Sequence, residues 1–480
     1  MNASARDMVA RLWGLCHILR DDGITYHQYV SELSSLLFLE MAEEVGVEHL
    51  LPVGSRWRDL RSCADGDRLP RYRAMLARLA SADDLRVRQI FHRASTSLRR
   101  SENLDALVRA IDELDWYSVR AERLGDMYEG LLQKNAAETK SGAGQYFTPR
   151  PLIECMVSLV RPRPGEVIQD PALGTGGFLT AAGRYIARSA PAGERVVAPR
   201  LVGVELVPEV HRLAVMNLML HRVEGEVLLG DALSEIGSGL APADVILTNP
   251  PFGTKRGGAP SARSDLTLAT ANKQLAFLEH IYRGLRPGGR AAVVVPDSVL
   301  RSGGVGRKMR VELMHRCDLH TILRLPTGIF YAKGIKTNVL FFTRGHADRD
   351  QTERVWIYDM RTGMPTFGKR TPLTREHFAD FETCHGGDEY GRGPRTDQGR
   401  DGRLRCLSRA DIARRGDDLD VTWAATSAET MASPPSAEAI ADEILDLLRA
   451  ATDEISALRQ VLVGSRPTTG AIPPTPGDPS

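Results

Sequence analysis

Apolar residues Met8, Val9, Leu12, Trp13, Leu15, Cys16, Ile18 and Leu19 recur at helical spacing. The same period predicts helices over residues 26–45, 72–79, 85–98, 104–111 and 124–132, separated by turn signals such as Asp65-Gly66-Asp67. The first 140 residues therefore read as an all-helical domain. After Lys140 the texture changes to a Gly-rich connector, Ser141 to Pro149, which marks a boundary. Beyond it, short apolar runs at 167–170, 201–206, 226–231 and 244–249 alternate with helical patterns at 151–160 and 208–221. Strand and helix in alternation predict an α/β fold with a doubly wound, Rossmann-like sheet. Further strands are expected at 291–296, 319–325, 337–342 and 355–359.

The distal chain changes character again. Residues 384–405 are rich in Gly, Arg and Asp and read as a mobile linker. Beyond Pro434-Pro435, the residues Ile440, Ile444, Leu447, Leu448, Ala451, Ile455, Leu458 and Leu462 fall at three- and four-residue steps, predicting a long amphipathic helix. Arg466 to Ser480, with its Pro, Thr and Gly, is expected to be disordered. The resulting organisation is a helical domain at 1–140, a catalytic domain at 141–383, a linker and extension at 384–435, a C-terminal helix at 436–463 and a tail at 464–480.

Composition narrows the function classes. The 480 residues, 42% hydrophobic, suffice for a sizeable core, and 62 basic against 61 acidic residues leave a net charge of +1. Nucleic-acid contact must then come from local patches, such as the window of Arg86, Arg88, His92, Arg93, Arg99 and Arg100, or from a partner. A solvated helix face is the plainer reading of that window. Six scattered cysteines without a Cys-x-x-Cys pair argue against a zinc site or a disulfide framework, so no metal is expected. With no signal-like or membrane-spanning apolar run, a cytoplasmic protein is expected.

The chemistry gathers at strand ends. The run from Asp244 stops at Asn249-Pro250-Pro251-Phe252, where two prolines force the chain out of the sheet in a stiff, extended form. An amide beside a fixed carbonyl, followed by an aromatic ring, can accept hydrogen bonds from a planar amino group and stack on its ring. A proline turn with a core phenylalanine is the alternative. Upstream, the strand ending at Asp170 leads into Gly174-Thr175-Gly176-Gly177-Phe178 and then a helix, the first unit of a nucleoside-binding sheet. Leu179 breaks the dinucleotide register, so a pyrophosphate is not favoured. Glu205 closes the second strand, placed for ribose hydroxyls, and Asp231 closes the third, where it can accept from an adenine amino group. Each acid alone also reads as a cap or turn residue. Their ordered placement at three successive strand ends is what points to a ligand. Gly363 to Arg370 nearly matches a phosphate-binding Walker loop, but Arg370 stands where the metal-binding hydroxyl belongs and Pro372 disturbs the helix that must follow.

Tyr146-Phe147-Thr148-Pro149, the Asp170 to Phe178 segment, Glu205, Asp231 and Asn249 to Phe252, in this order, resemble the amino-group DNA methyltransferases, and more narrowly the modification subunits of type I restriction-modification systems. The similarity continues through Asn272 to Phe277, Leu285 to Gly289, Ala291 to Pro296, Leu323 to Phe330 and Lys336 to Phe342. One departure is Leu173, where the family commonly has cysteine. The resemblance implies S-adenosylmethionine bound by Tyr146, Phe147, Thr148, Asp170, Gly174, Thr175, Gly176, Gly177, Phe178, Glu205 and Asp231, with Asn249, Pro250, Pro251 and Phe252 as the catalytic segment. It implies an adenine flipped from double-stranded DNA and sequence choice by a separate specificity subunit. The polar stretch 253–270, with Lys255, Arg256 and Arg263, reads either as a flexible lid over the DNA or as an ordinary surface loop. A second copy of the chain and a separate nuclease/translocase subunit are further implied partners. Cytosine N4 or protein glutamine methylation, and a cofactor-binding scaffold without catalysis, remain alternatives.

Overall fold

The structure is a computed structural model that describes residues 3–24, 26–116, 121–138, 147–189, 197–253, 263–268, 270–330, 336–368, 371–421 and 423. Tyr146, Lys255, Arg256 and the expected C-terminal helix and tail lie outside the described residues.

Among the described residues the centre is a nine-stranded sheet in the order β3-β2-β1-β4-β5-β7-β6-β8-β9. Its strands are β1 Val167–Asp170, β2 Arg200–Glu205, β3 Glu226–Leu229, β4 Ala243–Thr248, β5 Leu285–Pro296, β6 Cys317–Arg324, β7 Thr337–Arg344, β8 Arg354–Asp359 and β9 Leu404–Ser408. The first five run parallel, and β7 enters antiparallel between β5 and β6. The carboxyl ends of β1 to β6 and of β8 therefore share one edge with the start of β7. The chain winds outward in both directions from β1 and β4, and the crevice at such a switch point is where open α/β sheets bind ligands. Strands buried on both faces read as continuous apolar runs, and Val245, Ile246, Leu247 and Val293 to Val295 are buried accordingly.

The helical N-terminal region shares its core with the sheet region. Tyr128 Oη donates to Met216 Sδ at 3.4 Å, Gln89 Nε2 to the Val227 carbonyl at 3.4 Å, and Arg222 Nε to the Val45 carbonyl at 2.9 Å. Residues Met1–Val421 form one compact unit.

Several expectations need correction. The first helix is broken at Leu15 into Ala3–Gly14 and Cys16–Asp21. The helix expected over 85–98 ends at Phe91, since Arg93 adopts a left-handed φ of 52° and the chain then runs extended to hydrogen-bond Glu32. In the basic window, Arg86 pairs with Asp84 at 2.8 Å and Arg100 with Asp22 at 3.1 Å, so part of its charge is spent internally. The segment read as a linker buries His385 and Glu389 and runs into β9, which pairs antiparallel with β8. Its few apolar positions hid that order, because β9 is an edge strand held by backbone pairing to β8 and the segment before it is held by side chains such as Arg395, which donates to Thr321 Oγ1 at 2.7 Å. Arg263, read as a lid cation, is 8% exposed and donates to the Ala232 carbonyl at 2.9 Å. The residues after it are anchored too, with the Thr267 and Leu268 amides bonding the Glu279 carboxylate at 2.7 and 3.0 Å.

Candidate active site

At the end of β4 the chain passes from Thr248 into Asn249 and the two prolines. Asn249 Nδ2 donates to Thr148 Oγ1 at 3.0 Å, joining the segment before the helix Arg150–Val160 to the tip of β4. The opposite atom, Asn249 Oδ1, is buried and has no hydrogen-bond partner among the described residues. A buried, unmet acceptor is costly in a folded protein unless a ligand supplies the donor. Phe252 meets Phe330, from the turn after β6, edge to face with centroids 6.5 Å apart. The residue three positions past the unsatisfied amide thus meets a second aromatic ring brought in by the fold.

One strand over, Asp170 is 1% exposed. Its Oδ1 accepts from the Ala172 amide at 3.1 Å, while its Oδ2 is buried with no partner among the described residues. Burial pushes this carboxyl up to about 7, opposed first by the Thr248 side chain and then by that amide. Gly174, at φ 55°, holds the turn that follows, and a side chain placed there would meet no atom within 4 Å. Gly176 and Gly177 face the opposite constraint: a Cβ would come within 3.1 Å of Leu218 and 2.8 Å of Ile153. The glycines therefore leave space on one side of the turn and let helices pack closely on the other.

Glu205, at the end of β2, reaches across to this turn. Its Oε2 accepts from the Gly174 amide at 2.9 Å and its Oε1 from the Val207 amide at 2.8 Å. Burial raises its carboxyl above the usual range, with these amides opposing. Asp231 lies just past β3, where its Oδ1 accepts from the Leu233 amide at 2.8 Å and so also serves its own turn. Thr175 belongs to the same turn through its backbone, since its carbonyl accepts from Asn217 Nδ2 at 3.0 Å. Phe178 is buried in the helix Gly177–Ser189, while Phe147 and Phe252 pack partly buried against the core.

The profile of the N-6 DNA methylase family matches residues 119–430, well over half of the chain. The chain belongs to the N-6 DNA methylase family. Along nearly its whole length it is similar to type I restriction enzyme methylase subunits: StySJI of Salmonella typhimurium, 45% identical over 95% of both chains, and EcoKI of Escherichia coli K12, 45% identical over 96% of both. Among solved structures, the EcoKI M protein is 40% identical over 95% of this chain and 96% of its own, with a TM-score of 0.55. A modification subunit of a type I enzyme from Vibrio vulnificus is 26% identical over 85% of this chain and 93% of its own, with a TM-score of 0.72. The type I resemblance carried by the ordered motifs is thus met, and this methylase is an adenine-specific DNA methyltransferase.

The structure of this methylase adds residues that the motifs did not single out. Leu206, beside Glu205, is 62% exposed, an apolar side chain offered at the mouth of the crevice. Asn217 is fully buried in the helix Pro208–Leu220 and bridges Glu129, at 3.3 Å, to the Thr175 carbonyl. A polar residue inside an otherwise apolar helical run was the available signal for it. Phe330 had none, since only the fold brings it to Phe252. Among the described residues, Asp126, Glu129 and His221 form a group whose ligand atoms lie within 4.8 Å of one another, but Arg150 already pairs with Asp126 at 2.9 Å and Arg184 pairs with it as well. That group reads as an ion network joining helices. Among the described residues, no helix is long and apolar enough to cross a membrane.

Proposed function

We propose that Asn249 Oδ1 and the Pro250 carbonyl receive the two amino hydrogens of an adenine flipped out of DNA, while Phe252 and Phe330 hold its ring. The single observation that carries this reading is the buried Asn249 oxygen with no donor of its own, fixed by Thr148 and followed three positions on by a residue that meets a second aromatic ring. Accepting both hydrogens draws the amino nitrogen away from conjugation with the ring and toward tetrahedral geometry, so that its lone pair can attack. Stacking contributes about 1–3 kcal/mol per base and tolerates in-plane adjustment. The residues at the ends of β1 to β3 fit S-adenosylmethionine, because a buried carboxylate oxygen of Asp170 and the open space at Gly174 call for a polar ligand there. Glu205 retains lone pairs for ribose hydroxyls, Leu206 offers its apolar face to a purine, and Asp231 has one carboxylate oxygen to spare for an amino group. When bound, the cofactor supplies a sulfonium-activated methyl group. The chain's own contribution is then alignment of the nitrogen with that methyl and exclusion of water from the crevice.

Double-stranded DNA, a specificity subunit, a second copy of the chain and a separate restriction subunit are the partners that this reading includes, and the likeness to type I methylase subunits supports them. The test is to copurify the complex, incubate it with DNA and labelled S-adenosylmethionine, and digest the product to nucleosides. Label in N6-methyladenine at one sequence context is expected. Label in N4-methylcytosine or in protein would overturn the reading.

A further inference from the structure

The stretches Leu323 to Phe330 and Lys336 to Asn338, both family-like, and the end of β5 at Pro296-Asp297 are left largely unused by the catalytic segment. They converge on a cavity of about 450 Å³ at the edge of the sheet that also carries Asn249. Its inner wall is a fixed lattice of charge. Arg361 donates to both oxygens of Asp297 at 2.9 and 2.6 Å and to Asn338 Oδ1 at 3.2 Å. Arg324 pairs with Asp359 and Asp420, each at 3.3 Å. Burial works to raise the Asp297 carboxyl, but Arg361 outweighs it and holds the group below its ordinary range, so this carboxylate stays ionised.

At the rim stand Arg301 and Lys336, both exposed, with the exposed Ser298 between the two segments. Among the described residues neither cation pairs with an acid. The inner wall sets two arginines against three acids, Asp297, Asp359 and Asp420, so the two rim cations leave the opening with a surplus of one positive charge. A hydroxyl and two flexible cations around a rigid guanidinium wall suit a tetrahedral oxyanion of low charge.

The position selects among such anions. The cofactor-binding acids lie on β1 to β3, on the far side of Asn249. The cavity lies on the near side, over β5, β7, β6 and β8, and strands spaced about 4.8 Å put it roughly 10–15 Å along the edge from the end of β4. Phe330, which meets Phe252, comes from the same β6 turn that contributes to the cavity. A nucleic-acid strand delivering its base to Asn249 passes a phosphate there within a few nucleotides, at about 3.4 Å of rise per step.

We propose that this cavity is a phosphodiester site for the DNA strand flanking the target base, with Arg301, Lys336 and Ser298 as its contacts. The proposal rests on the adenine methyltransferase reading for the identity of the strand, and on the cavity for the contact. Phosphate contacts of this kind set the register of the strand without reading sequence.

The test uses the full chain in its copurified complex and measures DNA affinity from low to moderate salt for the wild type, Arg301→Gln/Lys336→Gln and Arg301→Lys/Lys336→Arg. Each cation lost from a phosphate contact lowers the slope of log K against log salt by about one. The Gln pair is therefore expected to flatten the slope by one to two and weaken DNA binding, the charge-keeping pair to restore it, and S-adenosylmethionine affinity to stay unchanged throughout. An unchanged slope in the Gln pair would overturn the site. Saturable binding of inorganic phosphate that the Gln pair loses, with the DNA slope unaltered, would mark a small-anion pocket and also overturn it. Loss of slope in a complex whose wild type methylates no adenine would uphold the phosphate site while sinking the adenine reading.

Discussion

Thr148 Oγ1 accepts a hydrogen bond from Asn249 Nδ2 at 3.0 Å across 101 residues of sequence. The bond fixes which end of the amide faces the crevice, leaving Oδ1 as the acceptor with no partner among the described residues. Thr148→Val keeps the shape and removes the acceptor. A neutral hydrogen bond contributes about 0.5–1.5 kcal/mol, so kcat is expected to fall by about 2- to 12-fold. The KM for S-adenosylmethionine should change little, and Thr148→Ser should recover the rate. Equal kcat in the Val variant would remove Thr148 from its positioning role.

Gly203 and Leu173 form a second pair. A Cβ on Gly203 would lie 2.6 Å from Leu173 Cδ1, so the leucine fills the space that β2 leaves beside the turn after β1. Gly203→Ala is expected to destabilise the chain by about 1–3 kcal/mol through overpacking. Leu173→Cys shortens the intruding side chain, and the double variant should regain most of the loss in a urea titration. Additive losses would show that the two do not share this space.

The Asp170 carboxyl carries a stability signature. Its folded pKa is raised from 3.8 to about 7, so the folded chain holds that proton more tightly than the unfolded one. Its contribution is complete below about pH 4 and is lost as the pH rises toward 7. Asp170→Asn, neutral at every pH, should flatten the decline of the urea midpoint between pH 5 and 7 relative to the wild type. Parallel profiles for the two proteins would contradict the burial-driven shift.

Phe252 and Phe330 meet at 6.5 Å. If both hold the base, Phe252→Ala should lower kcat/KM for DNA by the equivalent of about 1–3 kcal/mol. Phe252→Trp should retain most activity, whereas S-adenosylmethionine binding should be untouched in both. A defect in cofactor affinity alone would move Phe252 from the base side to the cofactor side.

Much of this site was legible in the chain because it is built at strand ends, where an apolar run stops and a polar residue follows. Asp170, Glu205 and Asn249 each follow buried residues whose pattern is unambiguous, and the prolines after Asn249 announce the exit from the sheet. Phe330, Arg361 and Asn217 were not legible in the same way. Each acts through a partner 23 or more residues away, as Arg361 does on Asp297 and Asn338, and no local period encodes such a meeting. The strand β9 escaped for another reason: Leu404 is its one fully buried apolar residue, too little for a period of two to show. Arg263 misled because a charged residue in a polar stretch reads as exposed, whereas the Ala232 carbonyl and Asp265 satisfy it internally.

The most direct test of the central claim is labelled methyl transfer to DNA by the assembled complex carrying Asn249→Ala, with S-adenosylmethionine binding measured in parallel. Loss of transfer with cofactor binding kept is the predicted result, since the variant removes the buried oxygen proposed to receive the target amino group. Transfer to N6 of adenine at the wild-type rate would contradict the account.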